Sequence, residues 1–195
     1  PNTITVVDKE LSLVRLEPHH LNDFSWQYNS SIMELCNLPH FIQDEDWYTW
    51  YEQACSDNTA ITCAIIHQEW GFIGVVHLKV INGVGFFYYW LGNDFQGAGL
   101  GPRAVNLLLH YGMAHMHMQC CYAKVYQHNV ASHKAIKKLG FTRLPITADL
   151  PYNNEVFYYL GIDKSSDILF TELRDLLKGI GSQLRILPNQ CIRGL

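Results

Sequence analysis

The sequence predicts an α+β domain: one mixed central β-sheet flanked by helices, with an extra helix at the C-terminal end. Three observations predict it. Strand-like runs at 61–67, 71–81 and 84–91 come one after another, and Asn82-Gly83 between the last two is a strong two-residue hairpin signal. After Asn93 the order changes to helix, strand, helix and two closing strands, which makes the sheet mixed. With 195 residues, 48% of them hydrophobic, the chain is long enough to bury a sizeable core in one domain.

Taken in order, residues 11–16 alternate apolar and polar side chains and stop before Pro18, as a first strand does. Residues 19–28 and 44–55 read as helices. The second opens on Asp44, Glu45 and Asp46, which suits the positive end of a helix dipole, and places Trp47, Trp50, Tyr51 and Ala54 on one face. The three hairpin-linked strands follow. A glycine-rich turn at 96–101 then leads into a helix whose Val105, Leu108, Leu109, Gly112 and Met116 keep helical spacing. Residues 120–126 form a strand, and Asn129 caps a helix that runs through Leu139 and ends at Gly140. Residues 141–147 and 155–162 are the closing strands. Beyond them Ser166 caps a helix striped by Leu169, Leu173, Leu176, Leu177 and Ile180, and the tail to Leu195 has no clear period. The expected division is a core domain over 1–162 and a helical extension over 163–195. That extension packs on its own domain, the preferred reading, or on a second subunit of a homodimer.

Composition narrows the function classes. A net charge of -4 and a pI near 6.2 supply no basic field for a nucleic acid. The first residues carry no basic segment followed by an apolar run, so no signal peptide is read. The longest stretch free of formal charge, 104–123, holds Asn106, His110, His115, His117 and Gln119, which suits a buried amphipathic element and not a membrane span. Cys36, Cys55, Cys63, Cys120, Cys121 and Cys191 lack Cys-x-x-Cys spacing and are expected as free, buried thiols in a reducing cytoplasm. His115 and His117, two apart on a helix, point away from each other, so no metal site is expected.

The most informative segment joins the strand ending at Leu91 to a helix through Gln96-Gly97-Ala98-Gly99-Leu100-Gly101. Three glycines remove side chains where backbone N–H groups converge, and the following helix adds its dipole, so the turn suits an anion. Pro102 fits the first helical turn, where a missing N–H costs little. A tight turn with no ligand explains the same pattern. A phosphate loop of the Gly-Lys-Ser/Thr type fits poorly, because Pro102 and Arg103 follow Gly101. One strand further on come Asn129-Val130-Ala131-Ser132 and Leu139-Gly140-Phe141.

Together these two segments resemble the GNAT superfamily of acyl-CoA-dependent N-acyltransferases, in particular its RimJ/RimL-like branch. The family's Q/R-x-x-G-x-G/A signature is matched by Gln96, Gly99 and Gly101, and its N-x-x-S…G-F signature by Asn129, Ser132, Gly140 and Phe141. The resemblance runs from about Leu11 to Ile162. It implies acetyl-CoA as co-substrate, held at its pyrophosphate by the backbone of Gln96, Gly97, Ala98, Gly99, Leu100 and Gly101. It implies a Leu91 N–H bonded to the thioester carbonyl, and an Asn129 side chain on the pantetheine arm. Many members place a Tyr seven residues after that Asn to protonate the departing thiolate; Ile136 stands here, which leaves Ser132 as the candidate acid. Related enzymes often carry a Glu near position 86, where this chain has Phe86, so Asp149 and Glu155 become the candidate bases and His77 a third.

The activity implied is transfer of an acetyl group from acetyl-CoA to a primary amine of a small molecule or a protein N-terminus, by direct attack and without a metal. The departures at 86 and 136 keep a non-catalytic acyl-CoA-binding interaction module as the alternative. Lys134, Lys137 and Lys138 are placed to reach the coenzyme's 3′-phosphate or to form a solvated helix face. The Trp47, Trp50 and Tyr51 helix is expected to wall the acceptor pocket, with acidic residues at its rim. Alternate rings of the run Phe86 to Trp90 point to opposite faces, one of them toward the substrate channel.

Overall fold

The computed structural model describes residues 4–152 and 154–189. Their strands form one sheet in the spatial order β1 (Thr5–Asp8), β2 (Leu11–Arg15), β3 (Ala60–His67), β4 (Gly71–Ile81), β5 (Val84–Leu91), β6 (Cys120–Tyr126), β8 (Glu155–Leu160), β7 (Thr142–Ala148) and β9 (Ile186–Pro188). Neighbours pair antiparallel throughout, except the parallel pair of β5 and β6. Helices α1 (Leu21–Gln27), α2 (Ser30–Cys36) and α3 (Asp44–Ser56) lie between β2 and β3 in the chain. Helix α4 (Leu100–His115) makes the crossover from β5 to β6, α5 (Val130–Lys138) joins β6 to β7, and α6 (Ser166–Gly179) follows β8.

Side-chain alternation along the strands divides the core between two faces. On one face Val105, Leu108 and Leu109 of α4 and Ile136 of α5 pack against Leu13, Ile65, Leu78, Phe87 and Cys121. The opposite face carries two separate layers. Under α1 to α3 lies an aromatic cluster of Phe24, Trp47, Phe72 and Trp90. Under α6, Leu173, Leu176 and Leu177 pack on Cys120, Tyr122, Phe157 and Tyr159. Each of these three buried leucines contributes about 1.5–3 kcal/mol by removal from water. Helix α6 therefore covers the sheet of its own chain, and β9 adds a strand to β7.

The hairpin between β4 and β5 turns on Asn82 and Gly83 with φ of 51° and 80°, the two positive values that a primed turn requires. Several elements depart from the expectations. The strand over 11–16 is preceded by β1, reached through a left-handed Lys9 at φ 48°. The helix over 19–28 opens as a 3₁₀ turn, Pro18–His20, before α1. Ser165, one residue earlier than expected, caps α6 by accepting from the Ile168 N–H. Helix α4 stops at His115, and His117 has φ 55°, so the two histidines do not share a helix. Among the thiols, Cys63, Cys120 and Cys121 are buried and free, Cys36 is half-buried and Cys55 is exposed. Cys191 lies outside the described residues.

Candidate functional site

Strands β5 and β6 pair only at Val84–Phe86 with Cys120–Tyr122, although β5 continues to Leu91 and β6 to Tyr126. Past Phe86 and Tyr122 the two strands part. A cavity of about 470 Å³ occupies the gap, lined by Phe87, Tyr88, Tyr89, Trp90 and Leu91 on one side and by Ala123, Lys124, Val125 and Tyr126 on the other. One end reaches the starts of α4 and α5, at Gly99, Gly101, Pro102 and Ser132. The other reaches α2, at Ile32, Leu35 and Cys36. The cavity thus runs through the sheet between its two faces.

The turn before α4 presents backbone. Gly97 and Gly99 sit at φ 84° and 75°, in the left-handed region that favours glycine, and a Cβ on either would meet nothing within 4 Å. Gly99 is the N-cap of α4, and no side chain bonds the helix's first N–H groups, which have no partner within the helix. Gly101 serves another purpose: a Cβ there would come within 2.6 Å of Cε2 of Tyr89, so its absence lets that ring pack on the first turn. The Gln96 side chain donates to the Leu91 carbonyl at 3.0 Å and ties the turn to the strand end. Gln96, Gly97, Gly99, Leu100 and Gly101 line the cavity, whereas Ala98 is exposed outside its lining.

Ladder alternation orients the end of β5. The Gly92 N–H donates to the Ile73 carbonyl at 2.9 Å, so the N–H of Leu91, one residue earlier, is turned away from β4 and toward the gap. The Tyr89 carbonyl, turned the same way, accepts from the Cys36 thiol at 3.3 Å. Asn129 caps α5, its side-chain oxygen accepting from the Ser132 N–H at 3.2 Å. Ser132 and Tyr89 both line the cavity; burial raises the pKa of the Tyr89 phenol, and the Ser132 hydroxyl partly opposes the shift. His133 holds α5 against the sheet through the Tyr126 carbonyl (3.0 Å) and the Tyr158 hydroxyl (2.6 Å). A carbonyl only accepts, so Nε2 donates to Tyr126. Lys134 and Lys138, one helical turn apart, line the cavity; Lys137 does not.

At the α2 end, Lys124 pairs with Glu155 Oε1 at 3.0 Å, and Glu155 is 3% exposed with its Oε2 buried and unpartnered. Asp149 lies elsewhere: it stands in the β7–β8 turn, accepts from the Leu150 N–H at 2.8 Å, and does not line the cavity. His77 shares a 2.8 Å hydrogen bond with Thr62, stacks on Tyr88 at 4.7 Å, and is pushed down to about 4 by burial, so it is neutral at pH 7. The expectation for α3 is corrected. Trp47, Trp50 and Tyr51 pack around Phe24 and Phe41 in the aromatic core, and the cavity takes Ile32, Leu35 and Cys36 from α2 instead. No acidic residue is among the described residues that line it, against the acidic rim expected. The sequence reading also missed α2, whose ends are marked by Asn29 bonded to the Ile32 N–H and by a left-handed Asn37.

Residues 10–142, more than half of the chain, match the model of the acetyltransferase (GNAT) domain. The chain belongs to this family. No curated protein matches it, but solved structures share the GNAT fold. A spermidine N-acetyltransferase from Vibrio cholerae, in complex with CoA and spermine, superposes with TM-score 0.70 at 19% identity, covering 78% of this chain and 96% of that one. An acetyltransferase from Salmonella typhimurium that modifies the N-terminal serine of ribosomal protein L7/L12 gives 0.71 at 17% identity, over 82% and 100%. The microcin C7 self-immunity acetyltransferase, in complex with acetyl-CoA and AMP, gives 0.66 at 21%, over 80% and 94%. The GNAT match covers the parted strands, the glycine turn and α5, and leaves β1, nearly all of β7, and β8, α6 and β9 outside.

Proposed function

We propose that this GNAT protein transfers an acetyl group from acetyl-CoA to a primary amine by direct attack within the gap between β5 and β6. The observation that carries this reading is the parting of those strands into a cavity that reaches the glycine turn at one end and Lys124 and α2 at the other. The N–H groups of 97–101 and the α4 dipole receive the pyrophosphate, and Lys134 and Lys138 the 3′-phosphate. Asn129, beyond capping α5, holds the pantetheine arm. The Leu91 N–H, turned toward the gap, stabilises the oxyanion that forms as the amine nitrogen attacks the thioester carbon. Collapse of the tetrahedral species breaks the C–S bond, and the thiolate takes a proton from the Ser132 hydroxyl, which Tyr89 supports from β5.

Glu155 receives the surplus proton of the amine. Glu155 does not itself line the cavity, but its 3.0 Å contact with Lys124, which does, and its buried, unpartnered Oε2 support it over Asp149. The setting is a reducing cytoplasm, supported by the free thiols of Cys63, Cys120 and Cys121. Release of free thiol from acetyl-CoA against a panel of amines tests the reading. Ser132→Ala and Tyr89→Phe should each lower kcat by about 10²-fold, the scale of a lost proton transfer, while leaving acetyl-CoA affinity within about twofold. Bound acetyl-CoA with no thiol release on any amine would make the protein a non-catalytic binding module.

A further inference from the structure

The acceptor end of the cavity carries a cation where a polyamine would need anions. The charged groups among its described lining residues are Lys134 and Lys138 on the coenzyme side and Lys124 at the other end. An ammonium group entering there finds no carboxylate on the wall, and burying it unpaired is costly.

Lys124 is placed to receive a ligand. Cys121, Ala123 and Val125 belong to the core under α4 and α5, so Lys124 projects to the opposite face of the sheet, the one that carries α2. Its side chain is 20% exposed and lines the cavity. The Glu155 carboxylate, at 3.0 Å, occupies one of its three N–H donors and fixes the ammonium without covering it. Its charge reaches the Cys36 thiol on the far wall, where it opposes the effect of burial on that group.

We propose that Lys124 determines acceptor specificity by binding an oxyanion, carboxylate or phosphate, borne by the same molecule as the reacting amine. The inference rests on the acetyl-transfer reading for the place of the acceptor and deepens it. The substrate class is then an anionic amine, such as an amino acid, an N-terminus followed by an acidic residue, or an aminoalkyl phosphate, and not a polyamine.

Calorimetric titration of matched amines into the protein saturated with coenzyme A tests this without depending on turnover. The pairs are L-alanine and L-alaninamide, the dipeptides Ser-Asp and Ser-Asn, and phosphoethanolamine and ethanolamine, with spermidine alongside. At least one anionic member should bind about tenfold more tightly than its neutral twin, as a charge-assisted hydrogen bond predicts, and spermidine should bind weakest. The pair that shows the difference identifies the source of the oxyanion. Lys124→Arg should keep the preference. Lys124→Met combined with Glu155→Gln, which leaves no buried charge unpaired, should erase it while coenzyme A still binds. Equal binding within every pair, or tightest binding by spermidine, would overturn the proposal. Anion-selective binding without thiol release would uphold it and overturn the acetyl-transfer reading; thiol release with spermidine alone would do the reverse.

Discussion

At the scale of single residues, the three glycines of the turn answer to different constraints. Gly97 and Gly99 are there for their positive φ, and Gly101 for the ring of Tyr89 pressed against it. Gly99→Leu strains the backbone by about 1–2 kcal/mol and sets a side chain at the proposed pyrophosphate position. Calorimetry should show acetyl-CoA affinity reduced about tenfold or more, as for lost charge-assisted hydrogen bonds, with the fold retained by circular dichroism. Unchanged affinity would contradict the placement. Gly101→Ala has a different signature: it displaces Tyr89, so turnover should fall further than affinity in a thiol-release assay. Three glycines before a helix were legible in the sequence, and so was Asn129 as a cap. The meeting of Tyr89 and Ser132 at one cavity was not, because it brings together side chains of β5 and α5 that only packing makes neighbours. Lys124 was overlooked for a similar reason: one lysine in an apolar strand reads as an interruption until its partner Glu155 is seen beside it.

At the scale of elements, long periodic segments were legible and short ones were not. The strand at 120–126 and the helix that Asn129 caps stand where spacing put them. Helix α2 has seven residues with Ile32 its sole buried side chain, and β9 has three ending in Pro188, too few for a period to show. The aromatic stripe of α3 illustrates another limit. Periodicity establishes that Trp47 faces something, and cannot say whether that is a ligand or the rings of Phe24 and Tyr51. Helix α6 yields a prediction of its own scale. Leu173, fully buried against the sheet, should cost about 2–5 kcal/mol when replaced by Ala, measured by denaturant unfolding. Acetyl-CoA affinity should not change, because α6 lies away from the glycine turn; a parallel loss of affinity would show that the extension shapes the site.

At the scale of the whole molecule, the division of one sheet into two faces decides both stability and function. His77, on the face between the two helical layers, is neutral when folded, with its pKa pushed down to about 4 from 6.5 by burial. The unfolded chain takes up that proton first as the pH falls, so this contribution is complete above about 6.5 and is lost between 6.5 and 4, amounting to about 3 kcal/mol at most. Melting temperatures across that window should therefore fall less steeply in His77→Gln, which keeps a partner for Thr62; an identical slope would assign the acid sensitivity to other groups. The succession of β2 to β8 along the chain was legible from alternation and turns, but their order in the sheet and the place where β5 and β6 stop pairing were not, since both strands continue past it as strands. The proposed reaction depends on that parting. A crystal structure with bound coenzyme A tests it most directly. Pyrophosphate oxygens should lie within hydrogen-bond reach of the N–H groups of Gly97, Gly99 and Gly101, and the sulfur in the gap between β5 and β6 beside Ser132 and Tyr89. A coenzyme lying on another surface, with the gap empty, would contradict it.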